Sequence, residues 1–307
     1  MNPLFKKEHP HKISVVLGTL NRLPYLKAAI QSVRQSKIDR PLEMIVVDGG
    51  STDGTLRWLA EQNDVITVIQ HNIDVVQGKK IRKRSWGYFM NLGFKIGQGE
   101  LICMISDDSV LHPDAIANGL TAYEEAVNKG VKVGGVAFHW RCYPEESEYR
   151  VGYTLGGKMF VNHGFYMREA LERVGWLEEE ELKFYFADGD VCLKMAEVGY
   201  EIIKSDDSFV EHFESPKQKA SHSADLRVEG EWQKYLQKWK GRFYDPENPD
   251  AGRFDYKSGN SKFEAERIIS SEVKNLIARE QAALKIRTLA NAPRSWLANL
   301  VKGRKKS

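Results

Sequence analysis

Carboxylates gather in this sequence where apolar runs stop. Leu101 to Ile105 is an unbroken apolar run, and Ser106, Asp107 and Asp108 follow it directly. Adjacent carboxylates at the end of a buried segment are costly to place for packing alone. They suit a hard divalent cation and the phosphates it would carry, although the same residue types also make ordinary turns. A second acidic stretch, Asp48 to Asp53, closes the apolar run Leu42 to Val47. A third, Asp188-Gly189-Asp190, follows the aromatic run Phe184 to Phe186 and opens a segment with Val191, Met195 and Val198 at helical spacing. Helix capping and the helix dipole account for one of these two carboxylates. The other can serve as a general base if it faces a pocket. Lys79, Lys80, Arg82, Lys83 and Arg84 form a basic run. It can clamp a diphosphate or steer an anion, or it can be a solvated face. His212 lies between apolar neighbours. It gains a chemical role only if the fold brings it near Asp108; otherwise it is a core histidine.

These groups need a scaffold, and the apolar pattern predicts one. Predominantly apolar runs at Ile13 to Leu17, Leu42 to Val47, Val65 to Ile69 and Glu100 to Ile105 read as strands. Between them lie helical segments, one opened by Pro24 and carrying Leu26, Ala29, Ile30 and Val33, another carrying Leu56, Leu59 and Ala60 behind Asp53 or Thr55 as cap. Alternation of this kind predicts an α/β fold with a doubly wound, mostly parallel sheet covered by helices on both faces. In such sheets ligands bind beyond the carboxyl ends of the strands. Three polar strand ends converge there: Thr19 to Arg22, Asp48 to Asp53, and Ser106 to Asp108.

Further along, the pattern predicts a helix over Pro113 to Asn128, a strand over Val131 to Phe138, an irregular excursion over Arg141 to Lys158, and a strand over Val161 to Arg168. Glu169 to Val174 reads as helix, Tyr200 to Ile203 as strand, and Trp232 to Trp239 as a closing helix. Pro246 to Asn260 reads as a linker. Phe263 to Leu289 has helical spacing, Trp296, Leu297, Leu300 and Val301 form a short apolar face beyond Pro293, and the positive residues from Lys274 onward make the whole a basic amphipathic tail. Such a tail suits an anionic membrane surface, packing on the domain, or pairing of two subunits.

The 307-residue chain carries 45 Lys and Arg against 42 Asp and Glu, so charge alone does not select a nucleic-acid partner. The three cysteines, Cys103, Cys142 and Cys192, have no metal-like spacing and read as reduced core residues. Met1 to Lys12 holds no apolar stretch resembling a signal peptide, and no run approaches membrane-spanning length. The expected location is cytoplasmic.

The ordered set of motifs resembles family 2 glycosyltransferases with the GT-A fold. It comprises Gly18-Thr19-Leu20-Asn21-Arg22, Val46 to Thr55, Asn91-Leu92-Gly93, Gly99-Glu100, Ile105 to Asp108, Asp188-Gly189-Asp190, Glu211-His212 and Lys238 to Gly241. The resemblance covers about Lys12 to Gly241. It implies a GT-A domain over 1–245, with a nucleotide-binding half to about residue 110 and an acceptor half beyond it, followed by linker and tail over 246–307. It also implies inverting transfer of a sugar from a nucleotide-diphosphate donor to a hydroxyl of a glycan or polyprenyl-linked acceptor, of the bacterial surface-polysaccharide type.

By the same resemblance, Thr19, Asn21, Arg22, Asp48, Asp53, Arg84 and Asp107 would hold the donor. Asp108 and His212 would bind Mn²⁺ or Mg²⁺, and Asp188 would be the catalytic base. Ser106, Asp190, Arg82 and Lys83 are secondary candidates. The tail, over 261–307, would touch a membrane surface on the cytoplasmic face or a second copy of the chain. Three positions depart from the family pattern: Ser106 stands for the usual first aspartate of the metal motif, Gly49 for a common second aspartate after Asp48, and Ala187 for a glutamate before the base.

Two other readings compete. A sugar-nucleotide nucleotidyltransferase would share the carboxylates, but it needs a Gly-rich, cationic first loop, and Gly18 to Arg22 lacks that density. A membrane- or partner-docking protein would act through the basic tail alone. A dinucleotide dehydrogenase is disfavoured, because no Gly-x-Gly-x-x-Gly follows the first strand.

Overall fold

The computed structural model describes residues 12–72, 75–80, 83–213, 227–250, 252–258, 271, 273–279 and 282. The first half alternates strand and helix. β1 (Ile13–Thr19), α1 (Leu23–Arg34), β2 (Leu42–Asp48), α2 (Thr55–Leu59) and β3 (Val65–Ile69) come first. A two-stranded ribbon, β4 (Val75–Val76) and β5 (Lys79–Lys80), leads to α3 (Trp86–Ile96), β6 (Leu101–Met104), β7 (Ser109–Leu111) and α4 (Ala115–Asn128). The second half holds β8 (Val133–Cys142), β9 (Glu148–Gly152), β10 (Gly164–Met167), α5 (Arg168–Val174), α6 (Ala187–Glu197), β11 (Glu201–His212), α7 (Arg227–Trp239) and β12 (Phe254–Ser258).

One ten-stranded sheet organises the described residues, in the order β12-β9-β8-β10-β6-β1-β2-β3, with β11 pairing to both β8 and β7. The strands β6, β1, β2 and β3 are parallel. β10 is inserted antiparallel between β6 and β8. Burial on both faces explains the mostly apolar runs of the inner parallel strands: Ile13, Val15, Val16 and Leu17 of β1 are all fully buried, whereas Ile66 and Ile69 of the edge strand β3 are exposed. Each such side chain contributes roughly 1.5–3 kcal/mol when removed from water. Helix α3 lies tightly against this layer because Gly93 has no side chain. A Cβ there would sit 2.4 Å from Val16 Cγ1.

Ser85 caps α3 by accepting the Tyr88 N–H at 3.1 Å, and Gly175, in the left-handed region, closes α5.

The second half departs from the sequence expectations in four places. β8 runs on to Cys142, and the stretch expected as irregular contains β9. The strand expected over Val161 to Arg168 is confined to Gly164–Met167. The strand expected at Tyr200 to Ile203 runs on to His212 as β11; a register shift between Ser205 and Phe209 hides its continuity by putting polar residues out of phase. The stretch expected as linker contains β12, which pairs antiparallel with β9. Its alternation is shallow because it is an edge strand held by backbone pairing and by the Tyr153 hydroxyl, which donates to Asp255 at 2.5 Å.

In the tail, residues 273–279 are helical. Val273 is fully buried with Tyr25, Ala28, Val110 and Phe213, and Leu276 and Ile277 pack beside it. This part of the tail packs on the domain. The remainder of the expected membrane-binding or pairing segment lies outside the described residues. Among the described residues no helix is long and apolar enough to cross a membrane.

Candidate active site

The site forms where the parallel strands end together. Thr19, last in β1, stands in register with Asp48, last in β2. β6 runs alongside β1, with Met104 level with Val16. The residues just past β6 therefore reach Thr19, whose hydroxyl donates to Asp107 Oδ2 at 2.7 Å. Arg22 completes the corner: its Nη1 lies 2.9 Å from Asp107 Oδ1 and 2.9 Å from Asp108 Oδ2.

The second half supplies the opposing wall. β7 follows Asp108 directly and pairs antiparallel with β11, setting His212 opposite Ser109. The Phe213 N–H donates to the Asp108 carbonyl at 2.7 Å. His212 Nε2 thereby comes to 3.2 Å from Asp108 Oδ1. Behind it, the fully buried Glu211 accepts from Arg141 Nε at 2.8 Å, Arg141 Nη2 at 3.0 Å and the Tyr149 hydroxyl, and meets His112 Nε2 at 3.1 Å. This buried ionic network holds the end of β11 in place.

The electrostatics follow from burial and pairing. Burial raises the Asp107 carboxyl to about 6, with Arg22 opposing and Asp108 reinforcing the shift. Burial would raise Asp108 too, but His212 and Arg22 hold it well below the usual carboxylate range. Burial would lower His212, yet Asp108 carries it up to about 10. His163, fully buried beside His212, is pushed down to about 3 by burial and by that neighbour.

A cavity of about 700 Å³ opens over these strand ends, within the usual size for a small-molecule site. Of the residues singled out from the sequence, Thr19, Arg22, Lys83, Arg84, Ser106, Asp107, Asp108 and His212 line it. Asp48 is buried between the lining residues Val47 and Gly49. Its Oδ1 accepts the Gly50 and Ser51 N–H groups at 2.7 Å each, whereas Oδ2 has no hydrogen-bond partner among the described residues. Gly50 makes this turn possible: its φ is +95°, and a Cβ would meet His71 Nδ1 at 2.6 Å.

Three candidates have other work. Asn21 is a loop brace, accepting the Thr52 N–H at 2.7 Å while its own N–H donates to Ser51 Oγ. Asp53 accepts from Leu23 N through one oxygen and from Thr55 through the other. Asp190 is fully buried and anchors α7, taking Lys238 Nζ at 2.8 Å and Trp239 Nε1 at 3.0 Å. None of the three lines the cavity. Arg82 lies outside the described residues.

Asp188 stands in the first turn of α6, half-buried, and burial raises its carboxyl to about 6 against the Gly189 N–H that donates to it at 2.8 Å. It does not itself line the cavity; Lys183 and Phe184, just before it, do. Sequence reasoning misses Lys183, Trp86, Phe89 and Asn162. A lone lysine or tryptophan carries no motif, and only the aromatic run at Phe184 signals this wall.

The donor set also bears on a metal. Among the described residues no group of three or more His, Cys, Asp and Glu converges as a metal site. Asp108 and His212 supply two ligand atoms 3.2 Å apart. Adjacent ligands on an octahedral cation with bonds of about 2.1 Å lie roughly 3 Å apart. The pair therefore fits a cation that takes its remaining ligands from substrate phosphates and water.

The family model for Glycosyl transferase family 2 matches residues 14–173, just over half of the chain. The chain belongs to this family. A glucosyl-dolichyl phosphate glucuronosyltransferase of Haloferax volcanii is 29% identical over 149 residues, covering 46% of this chain and 45% of that protein. An uncharacterized glycosyltransferase of Bacillus subtilis, YfnE, is 26% identical over 117 residues, covering 38% of this chain and 28% of its own. An uncharacterized protein of Sinorhizobium fredii, y4gI, is 26% identical over 241 residues, 69% of this chain and 25% of that protein. The chain thus spans under half the length of these curated relatives. Among solved structures, the mannosyltransferase PcManGT of Pyrobaculum calidifontis, in complex with GDP-Man and Mn²⁺, superposes with a TM-score of 0.54 at 18% identity, over 97% of this chain and 81% of that one. TarS 1–349 of S. aureus gives 0.53 at 14% identity, over 88% and 87%. These likenesses establish the GT-A fold of this chain.

Proposed function

We propose that this glycosyltransferase moves a sugar, with inversion, from a nucleotide-diphosphate donor to a hydroxyl of a glycan or lipid-linked acceptor, with a divalent cation at Asp108 and His212. One observation carries the reading: Thr19, Arg22, Asp107, Asp108 and His212 converge from three strand ends on one cavity beside a buried Asp48 oxygen without a partner. That Asp48 oxygen suits an N–H donor of the nucleobase, and Asp107 suits hydroxyls of the ribose or donor sugar. Arg84 and Lys83 suit the diphosphate. PcManGT, in complex with GDP-Man and Mn²⁺, and the dolichyl-phosphate-directed relative support this class of donor and acceptor.

Bound there, Mn²⁺ or Mg²⁺ would supply Lewis-acid stabilisation of the leaving diphosphate. Asp188 would take the proton of the acceptor hydroxyl as its oxygen attacks the anomeric carbon opposite the leaving group. A carboxyl near 6 is well tuned for that role: ionised at neutral pH and still basic. The proposed division is donor side to about residue 110 and acceptor side to about 245, in surface-polysaccharide synthesis at the cytoplasmic face of a membrane.

The test is a panel of nucleotide sugars titrated with Mn²⁺, Mg²⁺ or EDTA into the wild type, Asp108→Ala and Asp188→Asn. Metal-dependent donor binding is expected in the wild type, lost in Asp108→Ala and retained without turnover in Asp188→Asn. Failure to bind any donor in either metal would refute the reading.

A further inference from the structure

The tail helix is seated on the segments that carry the charged groups of the site. Val273 is fully buried in one apolar cluster with Tyr25, Ala28, Val110 and Phe213, and Tyr143, Leu276 and Ile277 pack against it. Tyr25 lies in the first turn of α1, which Arg22 precedes. Val110 lies in β7, which Asp108 precedes, and Phe213 follows His212 directly. One cluster therefore joins the segments of Arg22, Asp108 and His212, and a residue from far along the chain completes it.

The links from this cluster to the site are short. The Phe213 N–H donates to the Asp108 carbonyl at 2.7 Å, and the Tyr143 N–H donates to the His212 carbonyl at 2.9 Å. The Phe213 and Tyr143 rings meet edge to face at 5.5 Å. The Leu111 N–H donates to Ser32 Oγ at 3.1 Å, tying β7 to α1. A shift of the Phe213 ring is thus transmitted through one peptide to His212 and through one hydrogen bond to Asp108. Neighbours of a truncated core side chain relax toward the gap, so the loss of Val273 reaches both. Beside the cluster, a cavity of about 360 Å³ lies between Pro24 and Ser271, Asn275, Leu276 and Arg279. The seam between α1 and the tail is not filled along its whole length, and Val273 is the tail residue fully buried in it.

Resting on the cation reading above, we infer that the tail helix is a positioning element of the site: through Val273 it holds Phe213, and with it His212, at the 3.2 Å separation from Asp108 that suits a cation. Seating of the tail and binding at the site are then coupled, and the coupling acts in both directions.

The experiment uses the full chain as wild type, Val273→Ala, Val273→Ile and Leu171→Ala, the last a buried residue of α5 outside the cluster. Amide exchange at Phe213 and Tyr143 is measured without metal, and Mn²⁺ is then titrated with nucleoside diphosphate well below the unfolding transition. Val273→Ala should speed exchange at both amides and weaken Mn²⁺ binding about three- to tenfold, whereas Val273→Ile keeps the apolar contact and should hold both near the wild-type values. Leu171→Ala should lower Tm without either effect. Leu276→Ala takes the place of Val273→Ala if that variant does not fold. In the wild type, Mn²⁺ with nucleoside diphosphate should slow exchange over residues 273–279. Unchanged exchange at Phe213 in Val273→Ala would overturn the inference, and so would equal weakening of Mn²⁺ binding by Leu171→Ala. Failure of the cation reading is distinguishable: the wild type would then bind no Mn²⁺, while the metal-free exchange still reports whether the tail holds Phe213.

Discussion

His212 Nε2 and Asp108 Oδ1 meet at 3.2 Å, joining the end of the longest strand, β11, to the turn that follows β6. The contact requires the antiparallel pairing of β7 with β11, since only that register sets His212 opposite Ser109. If this pair holds the cation, His212→Ala should weaken Mn²⁺ binding at least about tenfold while leaving the fold intact. Calorimetric titration with Mn²⁺ and nucleoside diphosphate checks it; unchanged affinity would remove His212 from the metal site.

Arg22 neutralises two buried carboxylates through one nitrogen. Among the described residues, Arg22→Met would leave Asp107 without a cationic partner and Asp108 with His212 alone. Its side chain is 29% exposed, so water softens the penalty. The expected cost is about 2 kcal/mol in denaturant unfolding, below the usual range for a broken buried pair.

As the proposed base, Asp188 should set a pH limb. With its carboxyl raised to about 6, the protonated, inactive form gains population as pH falls through 6. Transfer at saturating donor should drop about tenfold per pH unit below that point and level off above it. Asp188→Asn should abolish turnover at every pH. A wild-type rate flat from pH 5 to 8 would exclude Asp188 as the base.

Asp190 predicts the opposite phenotype two residues away. Asp190→Ala strips partners from Lys238 and from the buried Trp239. Stability should fall by about 2–4 kcal/mol with donor affinity retained in the folded fraction. Thermal unfolding alongside donor titration separates the two effects.

Val273 tests the tail. It is fully buried against Tyr25, Ala28, Val110 and Phe213. Val273→Ala should cost about 1–2 kcal/mol, read as a lowered Tm. No change would mean that the tail helix adds nothing to the domain's stability.

The parallel half of the fold and its strand ends were legible in the sequence because burial of the inner strands on both faces writes mostly apolar runs, each closed by polar residues. Ser106, Asp107 and Asp108 announced themselves by interrupting one. The antiparallel half was less legible: the shift inside β11 broke its alternation, and β12 is an edge strand with little apolar content of its own.

By residue type and order alone, the chain determined its family, its sheet and the turn carrying Asp107 and Asp108. The tertiary structure decided which carboxylates are already engaged by other groups of the chain. Asp48 and Asp53 lie in one loop, Asp188 and Asp190 in one helical turn, and nothing local separates them. Asp53 is saturated by Leu23 and Thr55, and Asp190 by Lys238 and Trp239, whereas Asp48 keeps an oxygen without a partner. A carboxylate's role depends on which donors reach it, and most of those donors come from distant parts of the chain that meet only when the sheet closes.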